Sequence, residues 1–173
     1  MTAPTAADDS ESNALDALDA LEEGATVYMD GVWDLFHVGH LRAIQRCREY
    51  GQRVVIGVVS DADCAEYKRV PHCSQSDRAE IVRAIRGVDD VICPCPLRIT
   101  DAFMDERKID LVVHGFKDER DYRRQADFFA VPLQRGLFRR VLYTPTVSTS
   151  AIIDQIQTAP RSEAAAAPNA PKE

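Results

Sequence analysis

The chain has 173 residues and a formal net charge of −7 at pH 7. This length supports one domain with a substantial core, and the acidic balance argues against non-specific binding to nucleic acid or to an anionic membrane. No segment approaches the roughly 18 consecutive apolar residues of a membrane-spanning helix, and the N-terminus lacks the layout of a signal peptide. Five cysteines, an odd number, favour reduced thiols in a cytoplasmic protein over a disulfide framework.

The two ends of the chain differ in composition from its middle. Residues 1–24 are acidic and rich in alanine and serine, so we predict a disordered arm there. Residues 158–173 are rich in alanine and proline without periodicity, which predicts a disordered tail. The folded domain is therefore predicted to comprise residues 25–157.

Strand-like and helix-like segments alternate along this domain. A β-branched run typical of a strand buried on both faces, and shorter apolar runs, predict strands at 25–29, 54–59, 89–93, 110–114 and 141–144. Periodicity and capping residues predict helices at 41–50, 76–86, 100–108, 121–129 and 149–156, with Pro132 interrupting the fourth. This alternation predicts a single Rossmann-like α/β domain with a doubly wound, parallel, five-stranded sheet.

The predicted topology brings three of the four histidines together. Ligands of such sheets bind at the carboxyl ends of the strands, where the strand order reverses and the first strand usually lies beside the fourth. The first strand leads to His37 and His40, and the fourth ends at His114 and Gly115. We therefore expect these three imidazoles to line one crevice.

The segment 30–40, between the first strand and the first helix, has the features of a polyphosphate-binding loop. Imidazole N–H groups donate to phosphate oxygens, and a protonated ring adds positive charge. At a helix N-terminus these rings act together with the backbone N–H groups and the helix dipole, and Gly39 lets phosphate approach the backbone. The same pattern could also arise from surface histidines or from a zinc site at His37 and His40, which lacks a third ligand at a suitable spacing.

Residues 31–40, Gly-Val-Trp-Asp-Leu-Phe-His-Val-Gly-His, resemble the signature of the cytidylyltransferases that make CDP-choline, CDP-ethanolamine and CDP-glycerol, within the HxGH nucleotidylyltransferase superfamily. Residues 76–92, 113–115 and 147–153 are similar to further segments of that family, in the same order. The resemblance covers about residues 25–157. It implies a CTP-dependent transfer of CMP to a small phosphorylated alcohol, with release of pyrophosphate.

The resemblance also implies roles for individual residues. His37, His40 and Lys68 would act on the phosphates during catalysis. Apart from the resemblance, Asp34 can fix the loop by accepting backbone N–H groups, and Asp61 follows the carboxyl end of the second strand, so both are expected to support the site. The residues that would contact the nucleotide are Gly31, Val32, Trp33, Gly39, Arg78, His114, Gly115, Ser148 and Thr149. Mg²⁺ is expected because CTP would be bound as its magnesium complex, and the sequence names no protein ligand for the metal. The family further implies a homodimer.

Ordinary structural roles stay open for several of these residues. Lys68 could be a solvated loop lysine, and Arg78 an exposed helix residue paired with an acid at little energetic gain. Ser148 and Thr149 could serve only as a helix cap. Asp61 could cap the helix that follows the second strand.

Several departures from the family lie where the phosphorylated alcohol would bind. After His114 and Gly115 the family often has acidic or amide residues that meet the head group, and this chain has Phe-Lys-Asp-Glu-Arg-Asp at 116–121. Tyr143 stands in place of an arginine, so Arg139 or Arg140 would have to supply the charge. Leu97 and Phe129 replace a tryptophan and a tyrosine, which depletes the aromatic cage that a quaternary ammonium needs. We therefore expect phosphoethanolamine as acceptor, with glycerol phosphate or a small phosphonate as alternatives. Two different functions also stay open at this point, an ATP-using adenylyltransferase and a non-catalytic nucleotide sensor.

Overall fold

The computed structural model describes residues 24–142 and 147–159. Five strands form one parallel sheet with the order β3-β2-β1-β4-β5. They are β1 (Thr26–Gly31), β2 (Arg53–Val59), β3 (Asp90–Cys95), β4 (Leu111–Phe116) and β5 (Phe138–Leu142). The strand order reverses between β1 and β4, as predicted, which opens a crevice at their carboxyl ends.

Seven α-helices connect or follow these strands in the described ranges. They are α1 (Val38–Tyr50), α2 (Asp61–Tyr67), α3 (Gln75–Arg83), α4 (Asp101–Arg107), α5 (Glu119–Gln125), α6 (Ala130–Gln134) and α7 (Thr149–Thr158), with a 3₁₀ turn at Ala126–Phe129. A side-chain oxygen accepts a backbone N–H at the start of five of them, from Ser60, Ser74, Thr100, Asp118 and Ser148. None of the helices within these ranges has the length and apolarity needed to cross a membrane.

The sheet is covered by apolar side chains on both faces. Successive side chains of a strand point to opposite faces, so Val27 of β1 packs in one cluster with Ile44 of α1 and Val82 of α3. The neighbouring residue Tyr28 packs in a second cluster, on the other face, with Met104 of α4. Each such buried side chain contributes about 1.5–3 kcal/mol to folding. This two-faced burial confirms the predicted doubly wound α/β fold.

The observed elements differ from the predictions most clearly at three places. Helix α2 was not predicted, because its sequence, Asp-Ala-Asp-Cys-Ala-Glu-Tyr, lacks an apolar stripe. Strand β5 begins at Phe138 rather than at residue 141, because Arg139 and Arg140 interrupt the apolar pattern. The predicted interruption at Pro132 is wrong: this residue lies in the first turn of α6, where a missing N–H costs no intrahelical bond.

The predicted arm and tail stay predictions, since residues 1–23 and 160–173 lie outside the described ranges. Residues 143 and 144 of the predicted last strand also lie outside them. Helix α7 extends to Thr158, two residues beyond its predicted end and into the segment expected to begin the tail.

Candidate active site

A cavity of about 230 Å³ opens at the carboxyl ends of β1 and β4. The loop between β1 and α1, the end of α2, the beginning of α5 and the beginning of α7 form its walls. His37, His40 and His114 all line it. The structure thus brings together the three imidazoles that the topology placed in one crevice.

The loop after β1 turns sharply around the indole of Trp33. Trp33 and Leu35 have φ angles of 59° and 46°, a left-handed conformation that is unfavourable for residues with a side chain. The buried Trp33 Nε1–H donates to the carbonyl of Gly57 at 2.8 Å, which compensates part of that cost. A Cβ atom at Gly31 would lie 2.8 Å from Trp33 Cε2, so the indole needs a glycine beneath it. This packing sets the direction in which α1 begins.

His37 and His40 stand at the first turn of α1 with defined tautomers. His37 is the N-cap, and its Nδ1 accepts the backbone N–H of Gly39 at 3.1 Å. The backbone N–H of His37 in turn points at Nδ1 of His40, with 3.4 Å between the nitrogens. Because an accepting nitrogen carries no hydrogen, both neutral rings hold their hydrogen on Nε2. His37 Nε2 is buried and has no hydrogen-bond partner in the described part of the chain.

Both rings are neutral at pH 7. Burial lowers the pKa of His40 to about 3, and the nearby His37 and Lys68 add to this effect while Asp34 opposes it. Burial also lowers the pKa of His37. The positive charge expected from a protonated ring is therefore absent at neutral pH. The pair instead supplies two neutral N–H donors.

Asp34 joins three segments of the cavity wall. Its carboxylate accepts the backbone N–H groups of His72 and Cys73, both at 3.0 Å, and the Arg69 guanidinium at 2.9 Å. Burial raises its pKa, but these hydrogen bonds and the Arg69 charge outweigh burial and hold the pKa below its usual value. Its main-chain carbonyl accepts the Thr149 hydroxyl at 2.9 Å. The carboxylate is thus ionised and fully engaged with the protein.

Lys68, Gly115, Ser148 and Thr149, four of the residues that the sequence pointed to, line the cavity. Lys68 is the C-cap of α2. Ser148 is the N-cap of α7, and its oxygen accepts the Ala151 N–H at 3.1 Å. Ser148 therefore caps α7 and also lines the cavity.

Arg78 and Asp61 lie outside this cavity wall. The Arg78 side chain is 0% exposed, and it donates to the carbonyls of Val32, Val59 and Cys73 and to the Asp61 carboxylate. The interpretation of Arg78 as an exposed helix residue is wrong. The guanidinium joins the ends of β1 and β2 to the segment before α3. Because most of its N–H groups donate to the protein, few are free to contact a ligand. The alternative role of Asp61 as the cap of α2 is wrong, because Ser60 is the N-cap of that helix.

His114 turns its Nδ1 to a carboxylate instead of to a backbone N–H. Its Nδ1 lies 3.0 Å from Oδ1 of the buried Asp30, so Nδ1–H donates to this oxygen. The ring packs between Phe116 and Phe129, with centroids 4.7 and 4.6 Å away. Asp30 was not singled out from the sequence, although it directly precedes the motif at 31–40.

Besides Asp30, several polar residues of the cavity wall were not among the predicted site residues: Tyr67, Arg69, Lys117, Asp121, Gln125 and Ser150. Neither Arg139 nor Arg140, the expected substitutes for the missing arginine, lines it. The Arg140 guanidinium lies 4.3 Å from the centre of the Tyr122 ring and pairs with Glu119. Lys117 directly follows the carboxyl end of β4. This position in the sequence could have identified it as a lining residue.

Comparison with known proteins identifies the relatives of this chain. A family model described as cytidylyltransferase-like matches residues 28–155. The ethanolamine-phosphate cytidylyltransferase of Arabidopsis thaliana is 34% identical over 134 residues, which cover 75% of this chain and 32% of that protein. Choline-phosphate cytidylyltransferase A of Homo sapiens is 32% identical over 139 residues, which cover 78% of this chain and 37% of that protein. The chain thus spans about a third of the length of these relatives.

A solved structure has the same fold. The lipopolysaccharide core biosynthesis protein from Thermoplasma volcanium GSS1 superposes with a TM-score of 0.55 at 20% sequence identity. The match covers 69% of this chain and 96% of that one. At this identity the likeness concerns the architecture alone.

Proposed function

Because this chain belongs to the cytidylyltransferase-like family, we propose that it transfers CMP from CTP to a small phosphorylated alcohol and releases pyrophosphate. The acceptor we propose is phosphoethanolamine. One observation carries the proposal: two neutral imidazoles at the start of α1 have Nδ1 bound to backbone N–H groups, which leaves both Nε2–H donors for phosphate oxygens. The relatives named above are cytidylyltransferases, which supports CTP over ATP as the donor.

The chemistry needs no nucleophile from the protein. An oxygen of the acceptor phosphate attacks the α-phosphorus of CTP in line, the bond from that phosphorus to the bridging oxygen breaks, and pyrophosphate leaves with the electron pair. The attacking oxygen is already an anion. The protein therefore acts by positioning the two substrates and stabilising charge on the oxygens of the transition state.

In this proposal His37 and His40 act as hydrogen-bond donors to the triphosphate. With its pKa lowered to about 3, His40 carries no extra proton to give away at pH 7. A fixed neutral donor in a buried site still stabilises developing negative charge, because it does not need to reorient during the reaction. Lys68 adds a positive charge at the same cavity. Arg78 acts as a positioning residue, by holding the carbonyl ends of β1 and β2.

We also propose that Mg²⁺ arrives with CTP. Within residues 24–142 and 147–159, no group of three or more His, Cys, Asp or Glu side chains is arranged to hold a metal ion. The carboxylates of Asp30 and Asp34 are engaged with His114 and with Arg69 and backbone N–H groups. This arrangement supports a metal ion that would be bound by the triphosphate of CTP and would neutralise part of its negative charge. The homodimer implied by the family stays a prediction.

Pyrophosphate release by the purified chain tests the proposed function. We expect turnover with CTP, Mg²⁺ and phosphoethanolamine, and at least about tenfold lower kcat/KM (about 1.4 kcal/mol of barrier) with ATP. A strong preference for ATP would instead indicate an adenylyltransferase. CTP binding without turnover of phosphoethanolamine, phosphocholine, glycerol 3-phosphate or 2-aminoethylphosphonate would indicate a nucleotide sensor.

A further inference from the structure

The α5 side of the cavity carries polar groups that the handling of phosphate does not use. Asp121 and Gln125 lie four residues apart on α5, so they share one face of the helix. Both line the cavity, although Gln125 is only 7% exposed. A glutamine this deeply buried requires polar partners. The two residues therefore form a built binding surface, which we call the α5 pair.

The hydrogen bonds of the α5 pair leave acceptor positions free on the Asp121 carboxylate and on Gln125 Oε1, together with the second N–H of the Gln125 amide. Gln125 Nε2 donates to Asp121 Oδ1 at 2.8 Å, and the backbone N–H of Lys117 donates to Asp121 Oδ2 at 3.2 Å. A carboxylate has about four acceptor positions, so each oxygen can accept one more hydrogen bond. Among the described residues nothing donates to Gln125 Oε1. The Lys117 ammonium forms no ion pair with Asp121 in this part of the chain.

The cavity wall carries three carboxylates, Asp30, Asp34 and Asp121, and three cationic side chains, Lys68, Arg69 and Lys117. Burial raises the pKa of the Tyr67 hydroxyl, and the charges of Asp30 and Asp121 add to this effect, as do Cys64 and Cys95. The Tyr67 hydroxyl therefore keeps its proton. Asp30 pairs with His114 and Asp34 with Arg69, whereas among the described residues Asp121 accepts only from amide N–H groups. A cation in the cavity would thus find its counter-charge in Asp121.

The chemistry of the pair distinguishes two kinds of cation. A primary ammonium donates three hydrogen bonds, which suits a carboxylate oxygen, an amide oxygen and a hydroxyl. A quaternary ammonium donates none and needs several aromatic faces around it. Trp33 and Tyr67 contribute the only Phe, Tyr or Trp rings among the described residues of the cavity wall, and the indole of Trp33 is fixed beneath the loop by Gly57.

We propose that Asp121 and Gln125 select acceptors that carry a primary ammonium beside their phosphate or phosphonate group. This inference rests on the proposed function, in which the imidazoles and Lys68 orient the acceptor by binding the phosphates in the same cavity. Phosphoethanolamine and 2-aminoethylphosphonate share the required ammonium. They differ in whether an oxygen or a carbon bridges to phosphorus, so both belong in the test.

The test compares four acceptors with four forms of the chain. The acceptors are phosphoethanolamine, 2-aminoethylphosphonate, phosphocholine and glycerol 3-phosphate, each with saturating CTP. The chains are wild type, Asp121→Asn, Gln125→Met and the control Asp127→Asn, which removes a carboxylate two residues beyond the pair and outside the cavity wall. We expect wild type to prefer at least one of the two ammonium acceptors over phosphocholine by at least about tenfold in kcat/KM (about 1.4 kcal/mol).

The substitutions should change acceptor selection alone. In Asp121→Asn and Gln125→Met, kcat/KM for the ammonium acceptors should fall by about tenfold or more, about 1.4 kcal/mol. The KM for CTP should stay within about twofold, less than about 0.5 kcal/mol, and the loss with glycerol 3-phosphate, which has no ammonium, should be smaller than the loss with the ammonium acceptors. Asp127→Asn should match wild type. An equal loss with all four acceptors would show a merely structural role and overturn the inference, as would a wild type that uses phosphocholine equally well.

Calorimetric binding separates this inference from the proposed function. Phosphoethanolamine should bind to the wild-type chain, and Asp121→Asn should weaken that binding by about tenfold, about 1.4 kcal/mol. If this result is found in a chain that releases no pyrophosphate, the proposed function fails and the ammonium site stands. If phosphocholine binds as tightly as phosphoethanolamine, the ammonium site is refuted whether or not CTP is turned over.

Discussion

The rings of His37 and His40 stack with their centroids 3.8 Å apart and an angle of 16° between their planes. Each ring has its Nδ1 turned to a backbone N–H of the same helix turn. The helix start therefore fixes both the orientation of the rings and the nitrogen that carries the hydrogen. Substitutions of His40 can therefore test its Nε2–H donor separately from its contact with the helix backbone.

Replacing His40 should remove a donor that acts in the transition state. We expect His40→Ala and His40→Asn to lower kcat by about 10²–10³, or about 3–4 kcal/mol, as for the loss of one oxyanion donor. Asparagine can still accept the His37 N–H, but it cannot reach the cavity. His40→Gln places an amide N–H nearer to the position of Nε2 and should keep more activity than either. Steady-state pyrophosphate release measures the series, and activity of His40→Ala within about tenfold of wild type (about 1.4 kcal/mol) would refute the assigned role.

The neutral state of His40 makes folding stability depend on pH. Its pKa is about 3 in the folded chain against an ordinary value of 6.5, so the ring gains a proton on unfolding at mildly acidic pH. Its contribution to stability is complete above pH 6.5 and is lost as the pH falls towards 3. The loss reaches at most about 1.4 kcal/mol per pH unit from this residue. Urea unfolding of wild type and His40→Ala between pH 7 and 5 should show a steeper decline in wild type, and parallel curves would contradict a neutral, buried ring.

Arg78 should matter chiefly for stability. Its removal would leave Asp61 and the carbonyls of Val32, Val59 and Cys73 without their partner. For Arg78→Met we expect a loss of about 3–5 kcal/mol in the free energy of unfolding, because three main-chain carbonyls lose the donors of a buried guanidinium. The Asp61 carboxylate is 46% exposed and adds less to this loss. Arg78→Lys should recover little, since an ammonium cannot reproduce the planar fork of donors.

The control for Arg78 lies in the same helix. Arg83 is exposed, so Arg83→Ala should change stability by no more than about 0.5 kcal/mol. Urea unfolding measures both effects. An Arg78→Met chain that is as stable as wild type but binds CTP far more weakly would favour the direct nucleotide contact implied by the family.

Gly57 should tolerate no side chain. A Cβ atom there would lie 2.2 Å from Tyr28 Oη and 2.9 Å from Cys95 Cβ. Gly57→Ala should therefore destabilise the chain by about 1–3 kcal/mol, the usual cost of overpacking a core. In a double-mutant cycle measured by thermal unfolding, Tyr28→Phe should recover part of this loss because it removes the closest atom. Additive effects of the two substitutions would show that the sheet relaxes elsewhere.

The central part of the fold was predictable from local pattern. Continuous β-branched residues such as those of β2 mark a buried parallel strand, and the alternation with helices leaves few topologies. The positions of His37, His40 and His114 follow from that topology, because each lies shortly after a strand or at its end. Helix α2 was missed for the opposite reason. Its formation depends on Ser60 and on the packing of Cys64 beneath it rather than on periodicity.

The other half of the candidate site depends on tertiary relationships. Arg78 has the spacing of a surface helix residue, and only the meeting of three chain segments shows that it is buried. Tyr67, Asp121 and Gln125 lie on helices whose rotation relative to β4 determines which side chains face the cavity. Sequence periodicity gives the apolar face of a helix but not the direction of a polar side chain at its edge.

The hydrogen bond from Thr149 to the carbonyl of Asp34 joins residues 115 positions apart. Ribosomal synthesis delivers Asp34 and the two imidazoles early, but the segment that closes the cavity emerges only after β5 has been made. Contacts of such large sequence separation form late in folding, because the chain entropy of the intervening loop must be lost first. A nascent chain that has emerged from the ribosome only as far as β4 therefore contains the phosphate-binding loop but lacks the part of the cavity wall that α7 forms. We therefore expect the ability to bind a substrate to appear late in the folding of this domain.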